Sequence, residues 1–270
     1  MKRQRILRLC WFDLRYSLLS LKGLIFLVPF ILFWYPLLHL TYANLSTLLA
    51  RREILAFAGH FFDPAVVNKL LIENPPSLSL YFLFALSMLP FFAVLAGMDQ
   101  FASDLGSGYF RLIGNRCRRG EIFIARYLSM LVLMIAAITA ASLAAGMVSA
   151  LKDQYPLAGV IAYLVRICCM LYLYAAALLA YMTIISSICS SAMGALFLGA
   201  VSYLLILFII LLVNGSGTAG EILPYLLPSA LKPDLMLING QSSLIAMAAL
   251  ILYAVSYNWL GWQIFKRRDF

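Results

Sequence analysis

"AMGALFLGAVSYLLILFIILLV", residues 192–213, runs for 22 residues without a charged side chain. An α-helix rises about 1.5 Å per residue, so about 20 apolar residues span the roughly 30 Å hydrocarbon of a bilayer. The stretch reads as a membrane span, and the composition around it agrees. Of 270 residues, 64% are hydrophobic and 11% charged, far more apolar surface than a soluble core of this size could bury.

Working outward, the chain holds five more charge-poor runs. Upstream lie "GLIFLVPFILFWYPLLHLTYA" (23–43), "SLSLYFLFALSMLPFFAVLAGM" (77–98), a third over 127–150 and a fourth over 158–187; downstream lies "SLIAMAALILYAVSYNWLGWQIF" (243–265). Pro29, Pro36 and Pro90 fall inside spans, where neighbouring helices can satisfy the freed carbonyls, so they are expected to kink and not to terminate. The expected fold is an all-α integral membrane protein. Residues 1–22 form an interfacial helix, 23–265 the six-span domain and 266–270 a tail.

Charge sets the expected orientation. Fourteen Lys and Arg residues lie in 1–22, 99–126 and 266–268, whereas Arg51, Arg52, Lys69, Lys152 and Lys232 lie in the alternate connections beside Glu53, Asp63, Glu73, Asp153, Glu221 and Asp234. The positive-inside rule places both termini and residues 99–126 in the cytoplasm. The first apolar run is too long for a secretory signal and lacks a good small-residue cleavage site, so the N-terminus is read as retained.

Three connections carry further pattern. In 1–22, Leu7, Trp11, Leu14, Leu18 and Leu21 share one helical face while Gln4, Arg5, Arg8 and Arg15 point elsewhere, as in an interfacial amphipathic helix over anionic lipid. The 44–77 connection predicts one or two short helices, with Asp63 as N-cap and Pro64 in the first helical position, ended by "NPPS" (74–77). In 214–241, "NGSGTAG" is a turn, and "EILPYLLPSALKPDLMLING" is an apolar segment broken by Pro224, Pro228 and Pro233, consistent with a re-entrant or interfacial hairpin.

Several function classes are poorly served. Ion-driven carriers need ionisable groups within their spans, and Arg166 is the single candidate, placed either at the outer interface or on a pathway. No P-loop is present, since no Gly-Lys pair occurs. "NGSG" (214–217) superficially resembles a membrane serine-protease motif, but no histidine follows it in the sixth span, and H-E-x-x-H is absent. His39 and His60 have no paired partner, and the five cysteines show no metal-ligand spacing. The chain is therefore read as a non-enzyme without a catalytic residue, bound cofactor, metal or nucleic-acid partner. Uphill work would draw its energy from another subunit.

The most polar interval after residue 22 is 104–119, with Arg111, Arg116, Arg118 and Arg119. Asp104 to Asn115 can form a short helix parallel to the membrane, "NRCRRGE" a basic turn, and Glu121 to Tyr127 the entry to the third span. This stretch, "SDLGSGYFRLIGNRCRRGEIFIARYL" (103–128), resembles the ABC-2 type permeases, the membrane subunits of ATP-binding-cassette exporters. Asp104 stands for their acid, Gly108 for their glycine, Arg111-Leu112-Ile113 for the helix, Asn115-Arg116 for the turn, Glu121-Ile122 for Glu-Ile and Arg126 for the usual Lys. Cys117 replaces the turn proline, Tyr109 a threonine, and the arginines are shifted. The N-terminal helix, "YLLPSALKPDLMLING" and the ending "FKRRDF" (265–270) are also similar to that family's.

The resemblance implies a permease in a bacterial inner membrane that pairs with a second permease subunit, as a homodimer or heterodimer. Each would receive a cytoplasmic ATPase that holds ATP and Mg. Residues 104–121 would be the coupling helix: Arg111, Asn115, Arg116, Arg118 and Arg119 would bond the ATPase, with Phe110, Leu112 and Ile113 as anchors. The alternatives are a membrane anchor or assembly subunit without its own substrate and, more weakly, an intramembrane enzyme. Small-residue ridges at Ala136-Ala140-Ala144, Ala137-Ala141-Ala145 and Ala195-Gly199 are candidate helix contacts. Arg166, Tyr174, Tyr181 and Tyr203 are candidate pathway residues, and Tyr163 and Tyr172 add further hydroxyls to the fourth span.

Overall fold

A computed structural model describes residues 2–19, 21–50, 64–110, 117–213, 223–237 and 240–268, and among these every regular element is helical. An amphipathic α1 (Lys2–Leu19) leads into α2 (Leu21–Ala50), and a short α3 (Pro64–Glu73) precedes α4 (Pro76–Gly97). A five-residue α5 (Ala102–Gly106) follows, then the long α6 (Arg119–Lys152), α7 (Leu157–Ile188) and α8 (Ala192–Val213). Two 3-10 turns (Leu223–Leu226 and Pro228–Leu231) and α9 (Lys232–Met236) lead into α10 (Gln241–Arg267).

Six of these helices are long and apolar enough to cross a membrane, which makes the chain a multi-pass membrane protein. The prolines at 29, 36 and 90 all lie inside helices, and Pro64 opens α3 as expected. Asp63, the expected cap of α3, lies outside the described residues, as does "NGSG" (214–217).

The core is built on α4. Of its apolar window 78% is buried, against 11% for α8, so α4 is central and α8 turns most of its surface away from the protein. α6 and α7 pack on α4, α10 runs along α7, and α2 covers α4 with Phe26, Phe30 and Trp34 against Phe92 and Tyr81. Hydroxyls pair across helices: the buried pairs Ser79 with Tyr163 at 3.1 Å and Tyr81 with Ser142 at 2.8 Å, and the half-buried pair Thr139 with Tyr172 at 2.7 Å. Of the two alanine ridges on α6, Ala137, Ala141 and Ala145 are buried, whereas Ala136 and Ala140 are exposed. Ala195 and Gly199 are buried, with Gly199 against Met182 and Val94.

α1, the 99–110 segment, the start of α6 and the end of α10 all meet at one end of the bundle, called here the terminal end. The opposite, far end holds α3, the 3-10 turns and α9. There Asp153 caps α4, accepting from the backbone N–H of Ser77 at 3.1 Å and its hydroxyl at 2.8 Å. That carboxylate satisfies donors the first turn of a helix leaves open.

Candidate functional site

The terminal end gathers the residues that the sequence singled out. α4 ends at Gly97, and Asp99, buried, accepts the backbone N–H of Ser103 at 3.2 Å as well as the Ser103 hydroxyl. This starts α5, which lasts a single turn. Gly108 adopts φ 70°, a left-handed conformation that closes a helix and that side chains with a Cβ rarely adopt. Tyr109 and Phe110 are helical again. The expected continuous helix from Asp104 is therefore interrupted at Gly106–Gly108, because the chain must turn there. Gly106 also lies so close to the Ser190 carbonyl in the α7–α8 turn that a Cβ would collide with it.

Aromatic rings fasten this segment to the spans. Phe101 stacks on Phe123 of α6 with centroids 5.2 Å apart and also meets Phe265 of α10 at 5.1 Å. Phe110 presents its edge to Phe265 at 5.6 Å. Phe110 is 1% exposed, so this residue, expected to reach a partner, is instead spent within the chain. Glu121 likewise turns inward, accepting the Arg118 backbone N–H at 3.1 Å and so capping α6.

The charges divide into three groups. Arg126 is 11% exposed and lies between two acids, its Nε 3.3 Å from Asp13 Oδ2 on α1 and its Nη2 donating to Asp104 Oδ2 on α5. One guanidinium thus joins the N-terminal helix, the connecting segment and the third span. Burial pushes the Asp13 carboxyl up to about 6; the Arg126 charge opposes that rise and the Asp104 charge adds to it. Arg119 donates to the carbonyls of Lys266 and Arg268 at 2.7 and 2.9 Å, closing the end of α10, and Arg268 donates to the carbonyl of Ile188 at the end of α7. Arg118 is exposed. Arg111, Leu112, Ile113, Asn115 and Arg116 lie outside the described residues.

On α1, Asp13 and Ser17 are buried against the bundle, while Leu7, Trp11 and Leu18 are exposed, and so are Arg5, Arg8 and Arg15. Leu14 is half-buried and packs on the core. The apolar stripe read from the sequence thus faces mostly outward, where a membrane surface would meet it, and a polar seam docks the helix. That seam was legible in principle: Asp13 is the only acid in the first 22 residues, and Arg126 the only charge between Ile122 and Leu151.

The three candidate pathway tyrosines lie near one another, Tyr174 and Tyr181 both interacting with Tyr203. Tyr174 is fully buried in the core, Arg166 is exposed in the third turn of α7, and the Tyr181 hydroxyl pairs with Ser202 at 2.8 Å. Tyr203 lines a groove between α4 and α8. Among the described residues no group of three His, Cys, Asp or Glu side chains is placed to hold a metal.

Fold and site define a multi-pass helical membrane protein whose connection between the second and third spans is clamped to its termini. Residues 60–270 match the family described as "Protein of unknown function (DUF2705)", and the chain belongs to that family. No curated protein matches it.

Proposed function

We propose that this chain is the transmembrane permease subunit of an ABC exporter, forming the translocation pathway and coupled to a separate cytoplasmic ATPase that binds ATP and Mg. The observation that carries this reading is the clamp around residues 99–126. A push on that segment is delivered at once to α1 through Asp13, to α6 through Arg126 and Phe123, and to α10 through Phe265. Packed cores have low compressibility and do not deform continuously, so a displacement passes through them as rigid-body motion and such a clamp suits a lever. Arg118 is exposed at the edge of the clamp, and the side chain can form a charge-assisted bond to an acidic partner.

In this reading the terminal end faces the cytoplasm of a bacterial inner membrane, two such subunits pair, and residues 104–121 are the coupling segment. The test is co-purification. A tagged chain should bring down an ATPase carrying a Walker-A sequence, and Arg111→Glu combined with Arg116→Glu should abolish that association while membrane insertion persists. Unchanged recovery of the ATPase by the double variant would reject the coupling assignment. Recovery of no ATPase by the wild-type chain would favour an anchor or assembly subunit.

A further inference from the structure

A groove of about 520 Å³ runs between α4 and α8 and is roofed at its far end by the 3-10 turns. The volume falls within the range of small-molecule sites, roughly 300–1,000 Å³. Phe91 and Val94 form one wall and Leu196, Ala200, Leu204 and Leu207 the other. Leu196 to Ile210 on the lining helix spans about 20 Å at 1.5 Å per residue, long enough for an extended acyl chain.

The mouth of the groove has a different chemistry. Lys232, at the start of α9, lines it beside Ser229, and among the described residues no carboxylate pairs with that ammonium. Among the described acids of the far end, Asp153 caps α4, Glu73 pairs with Lys69 on α3, and Asp234, two residues on from Lys232, makes no ion pair with it. Burial lowers the Lys232 amine to about 8. Lys232 is half-buried, and a partly desolvated ammonium without a counter-charge is unfavourable and suits a place where a ligand supplies the missing anion.

We infer that the groove between α4 and α8 binds an anionic phospholipid, with one acyl chain along α8 and the phosphate at Lys232 and Ser229. The site stands on the groove and its cation alone; only its use as a transport route would rest on the permease reading.

The test uses the full-length chain in nanodiscs, without any ATPase, and a phosphatidylglycerol carrying a photoactivatable group in its acyl chain. The phosphatidylcholine analogue serves as control. Adducts are mapped to peptides of α4 and α8. Phosphatidylglycerol should label these peptides about fivefold more than phosphatidylcholine, the advantage expected of one cation near the membrane surface. Lys232→Gln should erase that preference while retaining residual labelling by both lipids. Ala200→Trp, which fills the groove, should lower both. Equal labelling of the wild type by the two lipids, or a preference that survives Lys232→Gln, would overturn the assignment. So would efficient disulfide formation between two copies bearing Leu204→Cys, because a second copy would then occupy the groove. The readout contains no ATPase, so the lipid site and the permease reading can fail separately.

Discussion

The two ends of this bundle treat charge in opposite ways. At the terminal end Arg126 is held by Asp13 and Asp104, and Arg119 and Arg268 close the ends of α10 and α7. At the far end the half-buried Lys232 lines an apolar groove, and among the described residues no carboxylate pairs with it. A buried charge that is paired joins parts of a structure; one that is unpaired is costly to keep and points to something that binds. The first end is therefore read as a mechanical junction and the second as a site.

The comparison breaks most sharply at Arg126. Arg126→Ala leaves the buried Asp13 and the half-buried Asp104 without their shared cation, and losing one partner of a buried ionic group costs about 3–5 kcal/mol. Thermal unfolding in non-ionic detergent should shift markedly downward, and trypsin should cut α1 at Arg8 and Arg15 faster. Lys232→Met should behave in the opposite manner, leaving stability within about 1 kcal/mol of wild type on the favourable side, since removing an unpaired cation relieves desolvation. If Lys232→Met proves as damaging as Arg126→Ala, the two ends do not differ in the way described.

Phe265→Ala tests the aromatic half of the junction. Phe265 is fully buried among Phe101, Phe110, Phe123 and Trp262, and such a truncation costs about 3–5 kcal/mol in a packed core. Hydrogen exchange should show the loss concentrated in 99–110 and the start of α6, with the α2–α4 contacts retained. A smaller effect, about 1–2 kcal/mol, is expected for Asp153→Ala, which removes the cap from α4 at the far end. Its unfolding midpoint should fall less than that of either terminal-end variant.

The smallest expected effect is on pH. The Asp13 carboxyl is raised to about 6 in the docked helix, above its ordinary value near 4. The docked state therefore takes up a proton more readily than the released one. Its advantage is fully present below about pH 4 and is lost as pH rises through 6. Exchange protection in α1 should increase from pH 7 to pH 5, and Asp13→Asn should abolish that dependence.

Much of this architecture is legible in the sequence because a bilayer imposes a simple rule. Residues 23–43, 77–98, 127–150, 158–187, 192–213 and 243–265 each contain enough apolar length to span, and a helix covers each of them. The prolines that lie inside spans without ending them and Pro64 were equally local in origin. What the sequence did not disclose depends on partners far apart in the chain. Asp13 reads as an isolated acid among arginines until Arg126 is brought to it, and Phe110 reads as an exposed anchor until Phe265 covers it. Lys232 was counted with the charges of the far side, beside Asp234, yet the fold gives it an apolar groove and no ion pair. The break at Gly108 was hidden for another reason: the surrounding residues favour helix, and only the turn toward α6 requires the left-handed glycine.

The central claim is that the exposed edge of the terminal-end junction receives a motor subunit. Its most direct test is photocrosslinking in cells from a benzoyl-phenylalanine placed at Arg118, compared with the same probe at Trp11 on the exposed apolar face of α1. The account predicts an adduct with an ATP-hydrolysing protein from position 118, and lipid or no protein adduct from position 11. Absence of an ATPase adduct at 118, or equal adducts from both positions, would contradict it.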